Sequence, residues 1–194
     1  MSEEIPKPKV IIIAAIGKNF ELGKDNALLW HLHEDMRFFK ETTLGHTVVT
    51  GRKSFESIPP KYRPLPERTN IILSRNPDYM YEECYTVTSL DEAMDIALSQ
   101  GEIKVFIIGG GEIYKLALDH DFVDEMYLTH VDASFADADT FFPQFNSELW
   151  EAEQIMAIAS DSMNEYPFVV KHYKRKTIQV IKPYHTEAVN PSNP

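Results

Sequence analysis

The chain has 194 residues, enough for one well-buried core and short for two. Its 43% apolar and 25% charged residues are an ordinary globular mixture, which excludes disordered and fibrous classes. The net charge of −11 argues against nucleic acid, and the single cysteine, Cys84, rules out an intrachain disulfide or a thiolate zinc cluster.

The opening Met1-Ser2-Glu3-Glu4-Ile5-Pro6 has neither the basic start nor the apolar stretch of a signal peptide, so a cytoplasmic address is expected. Val10–Ile16 is the longest apolar run, too short for a bilayer and suited to a strand buried on both faces. Leu32–Thr43 has helical spacing. Thr47–Thr50 reads as a short strand running into Gly51-Arg52-Lys53-Ser54 and a short helical stretch. Thr69–Leu73 is a strand, followed directly by Ser74-Arg75. Ser89-Leu90-Asp91-Glu92 is a capping box that opens a helix to about Gln100. Ile103–Ile108 is a strand ending at Gly109-Gly110-Gly111, before a helix over Glu112–Leu118. Glu125–Val131 is a further strand, and stretches near 152–160 and 167–175 pattern as a closing antiparallel pair. This alternation predicts one α/β domain: a mostly parallel central sheet, a C-terminal antiparallel pair, and helices on both faces. Thr177–Lys182 could add an edge strand, and Pro183–Pro194 is polar and proline-bearing, so a loose tail is expected.

Three features carry chemistry. Leu32, Asp35, Met36 and Phe39 share one helix face, apolar apart from Asp35. One reading makes Glu34 and Asp35 solvated first-turn carboxylates that suit the helix dipole. The other sets Asp35 in an apolar cleft, where a planar ring with adjacent N–H groups would satisfy it. The strand-to-helix junctions at Gly51 and at Gly109-Gly110-Gly111 suit phosphates, although neither is a Walker loop or GxGxxG, and glycine after a strand can be only a turn. Arg75 after a strand suits a ribose 2′-phosphate, or is a solvated surface arginine. His31, His33, His46 and His130 form no HExxH pair, so no metal is expected, and there is no GxSxG elbow.

In order, six motifs resemble the dihydrofolate reductase family across roughly residues 9–175. They are Ile13-Ala14-Ala15-Ile16 with Leu22-Gly23 and Asn26-Ala27-Leu28-Leu29-Trp30; Trp30-x-Leu32-x-x-Asp35-x-x-x-Phe39; Gly51-Arg52-Lys53-Ser54-Phe55-Glu56-Ser57-Ile58; Pro64-Leu65-Pro66-x-Arg68-x-Asn70; Ile108-Gly109-Gly110-Gly111 with Tyr114; and Tyr127-Leu128-Thr129. The resemblance implies hydride transfer from NADPH to C6 of 7,8-dihydrofolate with a proton delivered to N5, and because no second acid stands near Asp35 in the motif, water is expected to deliver it. It implies catalytic roles for Asp35, supported by Thr129, and for Trp30 and Leu28 near the mobile loop. Ile13, Ala14, Phe39, Leu65, Arg68, Ile108 and Tyr114 would bind substrate with Asp35, Arg68 taking the glutamate tail. Ala15, Leu22, Gly23, Gly51, Arg52, Lys53, Ser54, Leu73, Ser74, Arg75, Gly109, Gly110, Gly111, Glu112, Ile113 and Tyr114 would bind NADPH, across a cis Gly109-Gly110 peptide. The family also implies a monomer that takes antifolate inhibitors.

Two departures stand out. Leu28-Leu29 replaces the Met-Pro common in bacterial members, and His33 replaces a common proline, which should loosen the entry to the helix. Ile58–Arg63 is an insertion relative to the shortest bacterial enzymes. The rival readings are a same-fold reductase of an aminopyrimidine in flavin synthesis and a non-catalytic dinucleotide-binding regulator. The first would lack the W-x-L-x-x-D helix and Arg68, and the second would not need Asp35.

Overall fold

The computed structural model describes residues 7–177. The first half runs β1 (Lys9–Ile16), β2 (Glu21–Lys24), β3 (Ala27–Leu28), α1 (His33–Thr43), β4 (Thr47–Gly51), α2 (Arg52–Ser57), β5 (Thr69–Leu73) and β6 (Cys84–Val87). There follow α3 (Leu90–Ser99), β7 (Lys104–Gly109), α4 (Gly111–Asp119), β8 (Glu125–Val131), β9 (Thr140–Phe141), β10 (Trp150–Ile158) and β11 (Phe168–Arg175). Short 3-10 turns lie at Pro60–Tyr62, within the inserted loop, and at Ser147–Leu149.

Eight strands form one sheet in the order β10-β11-β8-β1-β7-β4-β5-β6. The strands from β8 to β6 pair in parallel, while β11 runs antiparallel to both β8 and β10. The parallel strands need covering on both faces, and β1 shows how the sequence supplies this. Ile12, Ala14 and Ile16 point into a core completed by Leu90, Ala93 and Ala97 of α3 and Tyr114 and Ala117 of α4. Ile11 and Ile13 point the other way, to Phe38 and Phe39 of α1 and to Phe106 and Leu65. One run of β-branched residues therefore feeds two cores, because its side chains alternate.

The α/β reading and the C-terminal antiparallel pair hold. Boundaries differ by a residue or two: β10 starts at Trp150, and α4 starts at Gly111. The capping box also forms, since Ser89 Oγ accepts the Glu92 N–H at 3.2 Å. Its glutamate reaches one residue further back than the motif implies, accepting the Thr88 N–H at 2.9 Å. Two features were not anticipated: strand β6, and a second small sheet in the order β3-β2-β9. β3 and β9 have two residues each, too short for any periodicity to register. Among the described residues no helix is long and apolar enough to cross a membrane. The expected edge strand beyond Thr177 and the tail Pro183–Pro194 lie outside the described residues.

Candidate active site

The carboxyl ends of β1, β4, β5 and β7 lie side by side, the edge where open parallel sheets hold ligands. On the α1 side of that edge stands Asp35, in the first turn of its helix. Its Oδ1 accepts the Thr129 hydroxyl at 2.6 Å, a bond spanning 94 residues of sequence. Thr129 is buried on β8, next to Ala15 of β1 in register. Burial raises the Asp35 carboxyl to about 6, and the Thr129 hydrogen bond pulls the other way. The surroundings are apolar: Ile13, Ile108, Phe38, Phe39, Leu65 and Tyr127 belong to one cluster on this face. Of the two sequence readings of Asp35, the cleft carboxylate is the one the structure takes. It is an acid held in an apolar setting, which a ligand that donates hydrogen bonds would satisfy.

Tyr114 reaches the same edge from α4. Its hydroxyl donates to the Ile13 carbonyl at 2.9 Å, and burial together with the Asp35 carboxylate raises it above the ordinary tyrosine range. Ala14 is buried in β1, and Trp30 is buried against Phe135, with ring centroids 5.4 Å apart.

The two glycine junctions come together. The Gly109-Gly110 peptide is cis, and Gly109 has φ of 124°, a left-handed conformation that favours glycine. The Thr50 hydroxyl, from the end of β4, donates to the Gly109 carbonyl at 3.1 Å. A Cβ on Gly110 would stand 2.5 Å from Ser54 Oγ, and one on Gly111 would stand 2.7 Å from the Phe141 carbonyl oxygen. Gly51 packs against Ile113 in the same way. The starts of α2 and α4 therefore face each other, and neither carries a side-chain cap. Their first-turn N–H groups and the positive ends of their dipoles are brought to one junction, a cradle suited to an anion. Leu22, in the small sheet, packs 3.7 Å from the Cβ position of Gly111, and Gly23 pairs with Leu28 alongside.

The remaining candidates sit less uniformly. Arg52 lies over the Tyr79 ring at 5.5 Å, and Lys53 is exposed. Leu73 and Ser74 are buried at the end of β5, whereas the Arg75 side chain is 90% exposed and lies 3.6 Å from Glu112. Leu28 is 65% exposed. Arg68 is more constrained than the sequence suggests. It donates to Thr43 Oγ1, the Pro66 carbonyl and the Lys40 carbonyl, at 2.9, 2.7 and 3.1 Å, and so also ties off the end of α1. Two of its five N–H donors remain for a ligand. Sequence reading missed Thr50 and the orienting role of Asn70, which holds Leu65 and Arg68 by three hydrogen bonds. No local signal marks Thr50, whose partner Gly109 is placed by the fold, whereas Asn70 ends the Pro64–Asn70 motif and bonds residues two and five positions away.

A buried carboxylate beside a two-helix anion cradle, at the carboxyl ends of a parallel sheet, is the layout of an α/β nucleotide-cofactor enzyme. The family model described as dihydrofolate reductase matches residues 9–175. The type 3 dihydrofolate reductase of Salmonella typhimurium is 42% identical over 157 residues, 81% of this chain and 92% of that protein. The dihydrofolate reductase of Neisseria gonorrhoeae is 41% identical over 169 residues, covering 87% of this chain and 99% of the relative. A solved structure of the Enterococcus faecalis enzyme, complexed with NADP(H) and RAB-propyl, superposes with a TM-score of 0.77 at 34% identity, over 87% of this chain and 97% of that one. The chain belongs to the dihydrofolate reductase family.

Proposed function

We propose that this protein reduces 7,8-dihydrofolate to 5,6,7,8-tetrahydrofolate with NADPH, as one catalytic domain over residues 9–175. The observation that carries the reading is Asp35, held in an apolar cleft by Thr129 at 2.6 Å on the sheet edge that also bears the cradle. The cradle suits a pyrophosphate, since Gly110 and Gly111 let Ser54 Oγ and the Phe141 carbonyl pack where a Cβ would clash and so bring the two helix starts together, and Ser74, Arg52 and Arg75 supply the 2′-phosphate end. Bound there, NADPH supplies a hydride to C6 of the pterin. Asp35 accepts hydrogen bonds from the pterin N3 and 2-amino groups, polarising the ring so that N5 takes a proton from water. Ile13 and Ile108 line the ring edge, Phe39 its side, and Arg68 meets the tail carboxylate. The protein's contribution is positioning, polarisation and exclusion of water. Asp35 and Arg68 together favour this over the flavin-pathway reductase and the non-catalytic regulator. The reading carries with it a cytoplasmic monomer that binds antifolates, to be checked by fractionation, sedimentation and ligand titration.

The test is single-turnover hydride transfer across about pH 5 to 9, in wild type and in Asp35→Asn. The variant puts a donor NH2 against ring donors and should lose several decades at neutral pH, with partial rescue in acid. A variant within about tenfold of wild type at pH 7 overturns the mechanism, because loss of the charge-assisted hydrogen bonds to the ring should by itself cost roughly 1.5–3 kcal/mol each.

A further inference from the structure

The helix that carries Asp35 starts without a cap of its own. Leu32 occupies the capping position and makes no side-chain hydrogen bond there. The first two N–H groups of the helix are nevertheless satisfied. The His33 N–H, which a proline would lack, donates to the Met163 carbonyl at 3.1 Å. The Glu34 N–H donates to Asn164 Oδ1 at 3.0 Å, across 130 residues of sequence. Both acceptors lie in the loop joining β10 to β11. Beside them Leu32 bridges Asn164, the His31 N–H donates to the Glu165 carboxylate at 2.9 Å, and the Glu165 N–H donates to the His31 carbonyl at 3.1 Å. The loosening expected from His33 is thus reversed: the extra N–H is a fastening point.

Asn164 is 1% exposed, and its amide is held in one orientation. Nδ2 donates to Asp161 Oδ1 at 3.0 Å, and the same oxygen accepts the Met163 and Asn164 backbone N–H groups at 2.8 Å. With Nδ2 so occupied, Oδ1 has to face the helix. The frame closes on the far side, because β11, which leaves this loop, pairs with β8 in a register that sets Val170 against Thr129. The loop therefore fixes one end of α1 relative to the strand that bears Asp35's hydroxyl partner.

We infer that Asn164, locked by Asp161, is a positioning residue of the active site, capping α1 from a distant loop and setting where Asp35 stands against Thr129. The inference rests on the reading of Asp35 as the pterin carboxylate. Burial holds the Asp35 carboxyl at about 6, so a first turn that frays and admits water should bring it down toward the ordinary carboxylate range.

The test uses the full-length protein. In Asn164→Ala the single-turnover hydride rate should fall by about threefold to thirtyfold, the range that loss of a helix cap allows. The Asp35 carboxyl, followed by carbon-13 NMR without ligands, should titrate lower than in wild type. KM for NADPH should hold, because the cradle lies on other elements. A folded Asn164→Ala protein with the wild-type rate and Asp35 midpoint overturns the proposal. If that variant does not fold, Asp161→Ala leaves the asparagine in place and frees its amide. A lowered Asp35 midpoint there supports the proposal, and an unchanged one overturns it. The titration needs no turnover, so it remains decisive even if Asp35→Asn proves active and the catalytic reading fails.

Discussion

Replacing Asp35 by asparagine should make the ligand-free protein more stable at neutral pH while removing its activity. The Asp35 carboxyl is held at about 6 against an ordinary 3.8, with burial as the main cause. A carboxyl whose folded pKa lies above its unfolded value binds its proton more tightly in the folded state. Folding is then favoured while the group is protonated, and stability is lost as the pH rises from about 4 through about 6. A shift of about two units corresponds to about 3 kcal/mol, and water in the open cleft screens part of this, leaving ~1–2 kcal/mol. Asparagine cannot ionise, and its Oδ1 can still accept the Thr129 hydroxyl, so the penalty disappears. For a chain of this size each kcal/mol moves Tm by about 2–4 °C, so the variant should melt about 2–8 °C higher at pH 7. The two melting curves should converge near pH 4, where both side chains are neutral. Calorimetric melts of both proteins between about pH 4 and 8 decide the matter. A variant that melts lower than wild type at pH 7, or a difference that does not change with pH, refutes the picture of a carboxylate held for function at a cost in stability.

Arg75→Ala should reduce the preference for NADPH over NADH by about tenfold to a hundredfold, read as the ratio of kcat/KM values, since a charge-assisted phosphate bond is lost. An unchanged ratio would leave the phosphate to Arg52 and Ser74. Arg68→Ala should weaken binding of folates far more than of pteridines without the glutamate tail, in paired titrations. It should also lower Tm, because the Lys40 carbonyl and the Thr43 hydroxyl lose their donor. Glu21 is 1% exposed and accepts from Asn19 N, Asn19 Nδ2 and Phe135 N at 2.7, 3.0 and 2.9 Å. Burial pushes its carboxyl up, but the Phe135 and Asn19 donors outweigh that and hold it below the ordinary range. Glu21→Gln should therefore lower Tm and raise KM for NADPH through Leu22 and Gly23. The stability gap to wild type should narrow as the pH falls through the lowered pKa, where Glu21 itself protonates, and a gap independent of pH would mean the charge is irrelevant.

The sequence by itself carried the α/β class, because buried parallel strands and amphipathic helices write their periodicities into consecutive residues. Val10–Ile16, the Ser89 capping box and the two glycine junctions are signals of this kind, each readable within one turn or one strand. Asp35 was also visible locally, as a single polar break in an apolar helix face, but not which of its two readings held. That depended on Thr129, 94 residues away, and on the opposing apolar side chains that raise its pKa. The second sheet escaped for lack of length, and the His33 expectation failed because local reasoning sees a missing proline without seeing the Met163 carbonyl that meets the freed N–H. Arg68 was legible as a cation, while its ties to the end of α1 were not. Short-range patterns encode which elements form, since each residue's neighbours fix its backbone preference and its face. Which buried polar groups meet is decided only when the sheet order and register bring distant segments within hydrogen-bond reach, and in this protein those meetings build the site.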